Sequence, residues 1–184
     1  MEKLYMIEFK THPDWGYRPR TIENCSADAT IAFAVFPNTA GEILTKNSVK
    51  QQRKLFFFVD LGNPKHGWND LGGTRDRFID SFESGKIKTL NIAGNGLYTL
   101  RGYFTQNECD EIVYDFLSSI KEINELELIR SGGQSGFDES GLKAAVKLGI
   151  PALCLAPSNW MFRNENGVDI KDEKAFKARF SDPT

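Results

Sequence analysis

In the stretch SGGQSGFD, Ser131 to Asp138, two adjacent glycines precede an amide, a hydroxyl and a carboxylate. Gly132 and Gly133 let the backbone turn sharply and approach a ligand closely. Gln134 and Ser135 add donors and acceptors. The Ser135-to-Asp138 spacing is that of a capping box opening a helix. Free N–H groups and the positive dipole end of such a helix favour a phosphate or carboxylate. The stretch is neither GxGxxG nor GxxxxGK[ST], and no lysine follows the glycines, so a tight turn without a ligand is the alternative reading.

Three more stretches carry similar chemistry. FPNTAGEILT, Phe36 to Thr45, brings the N–H groups of Thr39, Ala40 and Gly41 to a second helix start. Glu42 there is either an acid or base, or the capping-box partner of Thr39, and the spacing favours the cap. NIAGNG supplies Asn91 and Asn95, which could hydrogen-bond a base, a sugar or the neighbouring loop, with Gly94 and Gly96 suited to positive φ. YRPRTIEN holds Tyr17, Arg18, Arg20 and Asn24 ahead of a strand. Its arginines could grip a phosphate bidentately or serve as surface cations. Trp160 and Arg163 follow the last strand, and Trp160 suits a stacked base or a core or interface position.

These residues need elements to position them. Apolar runs at Leu4–Phe9, Ala29–Phe36, Lys54–Leu61, Ile87–Gly94, Leu126–Gly133 and Ile150–Leu155 read as strands. KLFFFVDL is apolar at consecutive positions, as expected of a strand covered on both faces of a parallel sheet. Cys109, Ile112, Val113, Phe116, Leu117 and Ile120 repeat at helical spacing after a capping box at Thr105 and Glu108. Helices are also expected from Thr39 to about Gln52, over residues 70–84, and from Ser135 through Leu148, with Leu142, Ala145 and Val146 inward and Gly149 as the stop. Strands alternating with helices imply one doubly wound α/β domain with a mostly parallel sheet over residues 1–184. Ligands of such folds sit beyond the carboxyl ends of the strands.

Composition narrows the function classes. The chain has 184 residues and a formal net charge of −2, which argues against a duplex-binding surface. Its three cysteines are scattered, its two histidines stand apart, and neither forms a cluster with metal-ligand spacing. No signal peptide and no run of about 20 apolar residues is visible, so a soluble cytoplasmic protein is expected. The Gly-rich segment Asp60 to Phe78, with His66, Trp68, Arg75 and Arg77, reads as a lid or as a loop before a helix.

SGGQSGFDESGLKAAVKLGIPALCLAPSNW resembles the SGGQTGVD signature of the molybdenum carrier family, also called circularly permuted YpsA-like. YRPRTIENCSADATIAFAVFPNTAGEILT and IKTLNIAGNG resemble two further segments of that family, so the likeness spans most of the chain. The family belongs to the SLOG superfamily, with Lonely Guy phosphoribohydrolases and DprA. The resemblance implies a Rossmann-like fold, a nucleotide or nucleotide-derived ligand, and homo-oligomers. It implies first contacts from Ser131, Gly132, Gly133, Gln134, Gly136 and Asp138, then Asn24, Gly41, Thr45, Asn91 and Gly94. The SGGQ segment, usually N-terminal in the permuted family, is C-terminal here. In place of the Lonely Guy PGGxGTxxE loop this chain has NTAGEILTK, with Glu42 at the threonine and Leu44 and Thr45 near the expected glutamate.

The resulting expectation is a binding protein for a nucleotide-derived molecule, acting as sensor, carrier or sequestering protein, with no resident cofactor beyond a bound nucleotide. Two alternatives stand beside it. One is a hydrolase of nucleotides or N-glycosidic bonds using Glu42, Asp60 or Asp138. The other is an interaction protein built on Phe56, Phe57, Phe58, Trp15, Trp68 and Trp160.

Overall fold

A computed structural model describes residues 7–62 and 71–181. Six parallel strands form one sheet: β1 (Ile7–Thr11), β2 (Ala29–Ala34), β3 (Leu55–Asp60), β4 (Thr89–Gly94), β5 (Leu128–Ser131) and β6 (Ala152–Ala156). Their order is β1-β6-β5-β4-β2-β3. From β2 the chain steps outward to β3, returns to β4 on the other side of β2, and continues through β5 and β6. The order therefore reverses between β2 and β4, and a crevice opens at the carboxyl edge there. β2 is buried at all six positions because β3 and β4 pair with it on either side and helices cover both faces.

The helices are α1 (Tyr17–Asn24), α2 (Ala40–Gln51), α3 (Leu71–Glu83), α4 (Gln106–Ser118), α5 (Phe137–Lys147) and α6 (Glu173–Ala178). The α4 stripe is buried as its periodicity demands, and Thr105 and Glu108 form the reciprocal capping box. Gly149, at φ 70°, ends α5. The doubly wound expectation holds, and α3 falls where residues 70–84 place it. The first strand is displaced: it runs to Thr11, and the Leu4–Met6 part of the expectation, like His66 and Trp68, lies outside the described residues. α1, α6 and an antiparallel hairpin of β7 (Met161–Arg163) and β8 (Asp169–Lys171) were not anticipated.

Two glycines set α5 close against β4. A Cβ on Gly141 would lie 2.4 Å from the Ile92 Cβ, and one on Gly94 would lie 2.1 Å from the Phe33 carbonyl oxygen and 2.8 Å from the Phe137 Cβ. Phe137, the first residue of α5, stacks on Phe33 of β2 at 5.4 Å, and Phe116 of α4 meets Phe33 edge-on at 5.5 Å. This aromatic cluster fixes the start of α5 behind the strand reversal. No helix among the described residues is long and apolar enough to cross a membrane.

Candidate functional site

A cleft of about 520 Å³ opens at the carboxyl edge of the sheet. Its walls are α1, the first turn of α2, the end of β4 and the β5–α5 loop, so segments far apart in sequence converge where the strand order reverses.

Arg20 and Asp138 form its charged floor. The Arg20 guanidinium donates to the Asp138 carboxylate at 3.0 Å, and both side chains are about 9% exposed. Gly132 makes this possible: a Cβ there would sit 1.3 Å from an Arg20 nitrogen. Burial pushes the Asp138 carboxyl up, while Arg20 and the backbone N–H groups of Gln134 and Gly94 act in the other direction. The Arg20 Nε is buried without a protein acceptor, as is the Asn24 Nδ2. The Asn24 carbonyl oxygen accepts from Arg130 at 3.1 Å.

Glu42 departs from the capping-box expectation. Thr39 does cap α2, its hydroxyl accepting from the Glu42 N–H at 3.3 Å. The Glu42 carboxyl does not reach back to Thr39. It turns inward and accepts from the Asn95 amide at 3.3 Å. Burial, then the neighbouring Asp138 carboxylate, raises it to about 8, with the Asn95 hydrogen bond opposing. At neutral pH Glu42 therefore holds its proton, and its buried neighbourhood carries less negative charge than the sequence implies.

Asn95 serves the neighbouring loop. Its carbonyl oxygen accepts from the N–H groups of Val35 and Phe36 at 3.0 and 2.8 Å, and its amide also donates to the Phe36 carbonyl at 3.1 Å. One side chain thus locks the β2–α2 loop to the end of β4. Asn91 donates across the sheet to Thr30 at 3.2 Å and borders the cleft. Gly96 lies outside the left-handed region.

The SGGQSG loop behaves differently from its sequence reading. Ser135 does not cap α5; its hydroxyl donates to the Arg163 carbonyl at 2.6 Å, and Gly136 takes the cap position without a side-chain cap. The Gly136 N–H donates to Gln106 at 2.7 Å, the Phe137 N–H to the Asn95 carbonyl at 3.4 Å, and the Glu139 N–H to the Gln134 carbonyl at 2.9 Å. Gln134 spends its amide on β7, donating to the Met161 carbonyl and accepting from the Arg163 N–H. Of the sequence-derived residues, Arg20, Asn24, Thr39, Gly41, Thr45, Asn91, Gly94, Asn95, Gly132, Gln134, Ser135 and Asp138 border the cleft. Ser131, Gly133 and Gly136 do not. Ser131 is buried and donates to the Ile92 carbonyl at 2.7 Å. A Cβ on Gly133 would point at Cys154 and Phe176, each 2.6 Å away, and one on Gly136 at the Asn95 carbonyl. Those two glycines serve packing.

Sequence reasoning singled out Tyr17 and Arg163 but missed Tyr98 and Thr99 on the rim. Tyr98 and Thr99 stand at the mouth, and Arg163 grips Asp169 with two bonds of 2.7 and 2.8 Å. Burial, then the Asp169 carboxylate, pushes the Tyr17 phenol up to about 12, so it stays a neutral hydroxyl. The signal for α1 that went unread was Pro19 in a first helical turn with Tyr17, Arg20 and Asn24 spaced to share one helix face. Asp60 lies away from the cleft and accepts from the Gly62 N–H at 2.9 Å. Trp160 packs on Phe176 rather than standing free. Among the described residues no group of histidine, cysteine and acidic side chains is placed to hold a metal ion.

Fold and site together define a class: a Rossmann-like α/β protein with a cleft at its switch point. A scan against protein-family models and a search of curated proteins found no match to this chain.

Proposed function

We propose that this chain binds a nucleotide-derived small molecule in the switch-point cleft, as a sensor, carrier or sequestering protein related to the SLOG superfamily. The carrying observation is the convergence of α1, the α2 start, the β4 end and the β5–α5 loop on one cleft of about 520 Å³, a volume that suits a nucleotide-sized ligand. The motif resemblance adds the ligand class and assembly into homo-oligomers, and the composition adds a cytoplasmic setting. A second reading, hydrolysis of a nucleotide or N-glycosidic bond, is favoured by Glu42, whose carboxyl titrates near 8 and is thus tuned for acid–base work.

A thermal-shift panel of adenine nucleotides, NAD, ADP-ribose, cyclic nucleotides and molybdate tests both readings. A ligand at about 100 times its Kd adds about 2.7 kcal/mol, worth several degrees of Tm. Binding without turnover returns the ligand intact by chromatography; a cleaved ligand establishes the hydrolase. A panel without a single shift rejects both.

A further inference from the structure

The open sheet has two edge strands, β1 and β3, and they are finished differently. In β3 the Leu55 and Leu61 N–H groups donate to the Asp28 and Ala34 carbonyls at 3.1 and 2.9 Å. Successive residues of a strand aim their main-chain groups at opposite edges, so Phe56, Phe58 and Asp60 turn theirs outward. α3 reaches that edge, the Thr74 hydroxyl donating to the Phe58 carbonyl at 2.8 Å. In β1 the His12 N–H donates to the Ala156 carbonyl at 2.9 Å, so Ile7, Phe9 and Thr11 turn their main-chain groups outward. No donor or acceptor among the described residues meets them there.

Such a row is a template for another strand, and proteins normally blunt it with a proline, a bulge or a covering helix. IEFKT holds no proline, and its register with β6 runs unbroken from Ile7 to Thr11. It carries an acid and a base instead. Glu8 and Lys10, with side chains 62% and 57% exposed, lie on one face and pair at 2.7 Å. A single charge on an edge repels a second copy, but this pair is its own complement. Turned antiparallel about Phe9, Glu8 stands opposite Lys10 of a second copy, and Lys10 opposite Glu8. The same axis sets Phe9 against Phe9 and Ile7 against Thr11, the residues whose N–H and C=O groups face outward, so the bonds match. On the other face Phe9 meets Phe180 edge-on at 5.5 Å, and the pairing joins two such clusters.

From the open edge and its charge pattern we infer that two copies of this chain pair β1 against β1, antiparallel about Phe9, into one continuous sheet. This names the surface of the homo-oligomer proposed above; it rests on that part of the reading and not on the ligand.

Sedimentation velocity of the full chain over a concentration series at pH 7 tests the pairing. Wild type should reach the mass of a dimer. Lys10→Glu sets carboxylates against carboxylates and should weaken the dimer by about tenfold or more. The pair is solvent-exposed, so the variant still folds. Glu8→Lys combined with Lys10→Glu restores opposite signs across the axis and should restore the dimer. Thr11→Pro removes an N–H that the β6 ladder does not use and should also weaken it. Hydrogen exchange at the Phe9 and Thr11 amides should slow as the dimer forms, with Phe56 and Phe58 unchanged. A monomer at every concentration overturns both the pairing and the homo-oligomer. A dimer indifferent to Lys10→Glu and Thr11→Pro, or protection gained at β3 instead, overturns the pairing and keeps the homo-oligomer. A charge-swapped double variant as weak as Lys10→Glu overturns the register about Phe9.

Discussion

Glu42 carries the clearest single-residue prediction. Its folded pKa of about 8 lies above the ordinary 4.5, so the folded state holds a proton that the unfolded chain releases between those values. Its contribution to stability is therefore fully present below about pH 4.5, falls as pH rises, and is lost once pH passes about 8. Glu42→Gln removes the titration. By urea unfolding the variant should have a flatter pH profile than wild type and be the more stable protein at pH 9, by on the order of 3 kcal/mol. Matching profiles would show that Glu42 is not a buried neutral acid. Asn95→Ala deprives the buried Val35 N–H, and the Phe36 N–H beside it, of their acceptor and should cost about 2–4 kcal/mol, read from the shift in urea midpoint. Neither role was legible locally, because Asn95 and Glu42 stand 53 residues apart and meet only when β4 lies beside β2.

At the scale of elements, the strands and α4 were readable because their patterns are local. Six apolar runs set the strands, and a period of 3.6 with a capping box set α4. α1 was hidden because its inward face is polar: Arg20 and Asn24 are buried against the cleft and not against apolar core. Its burial depends on Asp138, 118 residues away. Arg20→Met leaves Asp138 uncompensated and should cost about 3–5 kcal/mol, while Arg20→Met with Asp138→Leu should recover most of the loss. A double variant as unstable as the single would contradict that pairing. α6 was hidden for a similar reason. Arg179, its C-terminal cap, reaches Glu139 and the Gly133 carbonyl, each at 2.7 Å, and lies over the Phe162 and Phe176 rings. The SGGQSG loop is thus clamped from beyond the last sheet strand, and Arg179→Ala should speed hydrogen exchange at Gly133 to Ser135 while leaving α4 protected.

For the molecule as a whole, the doubly wound order could be expected from alternation alone, and with it the edge of the sheet where a ligand belongs. What alternation could not give is which glycine loop stays open. SGGQSG is the more conspicuous motif, yet Gln106, Gln134 and Arg179 seal it from within, whereas Ala40 and Gly41 at the quieter NTAGE start border the cleft with no acceptor for their N–H groups among the described residues. Gly41 is the position to probe, since a side chain there meets nothing within 4 Å and projects from a residue that borders the cleft. The most direct measurement is calorimetric titration of wild type and Gly41→Trp with the nucleotide that raises Tm most. The account predicts saturable binding to wild type and a loss of at least about tenfold in a Gly41→Trp protein of unchanged Tm. Equal affinity in the two proteins, or no saturable heat with any nucleotide, would contradict a ligand in this cleft.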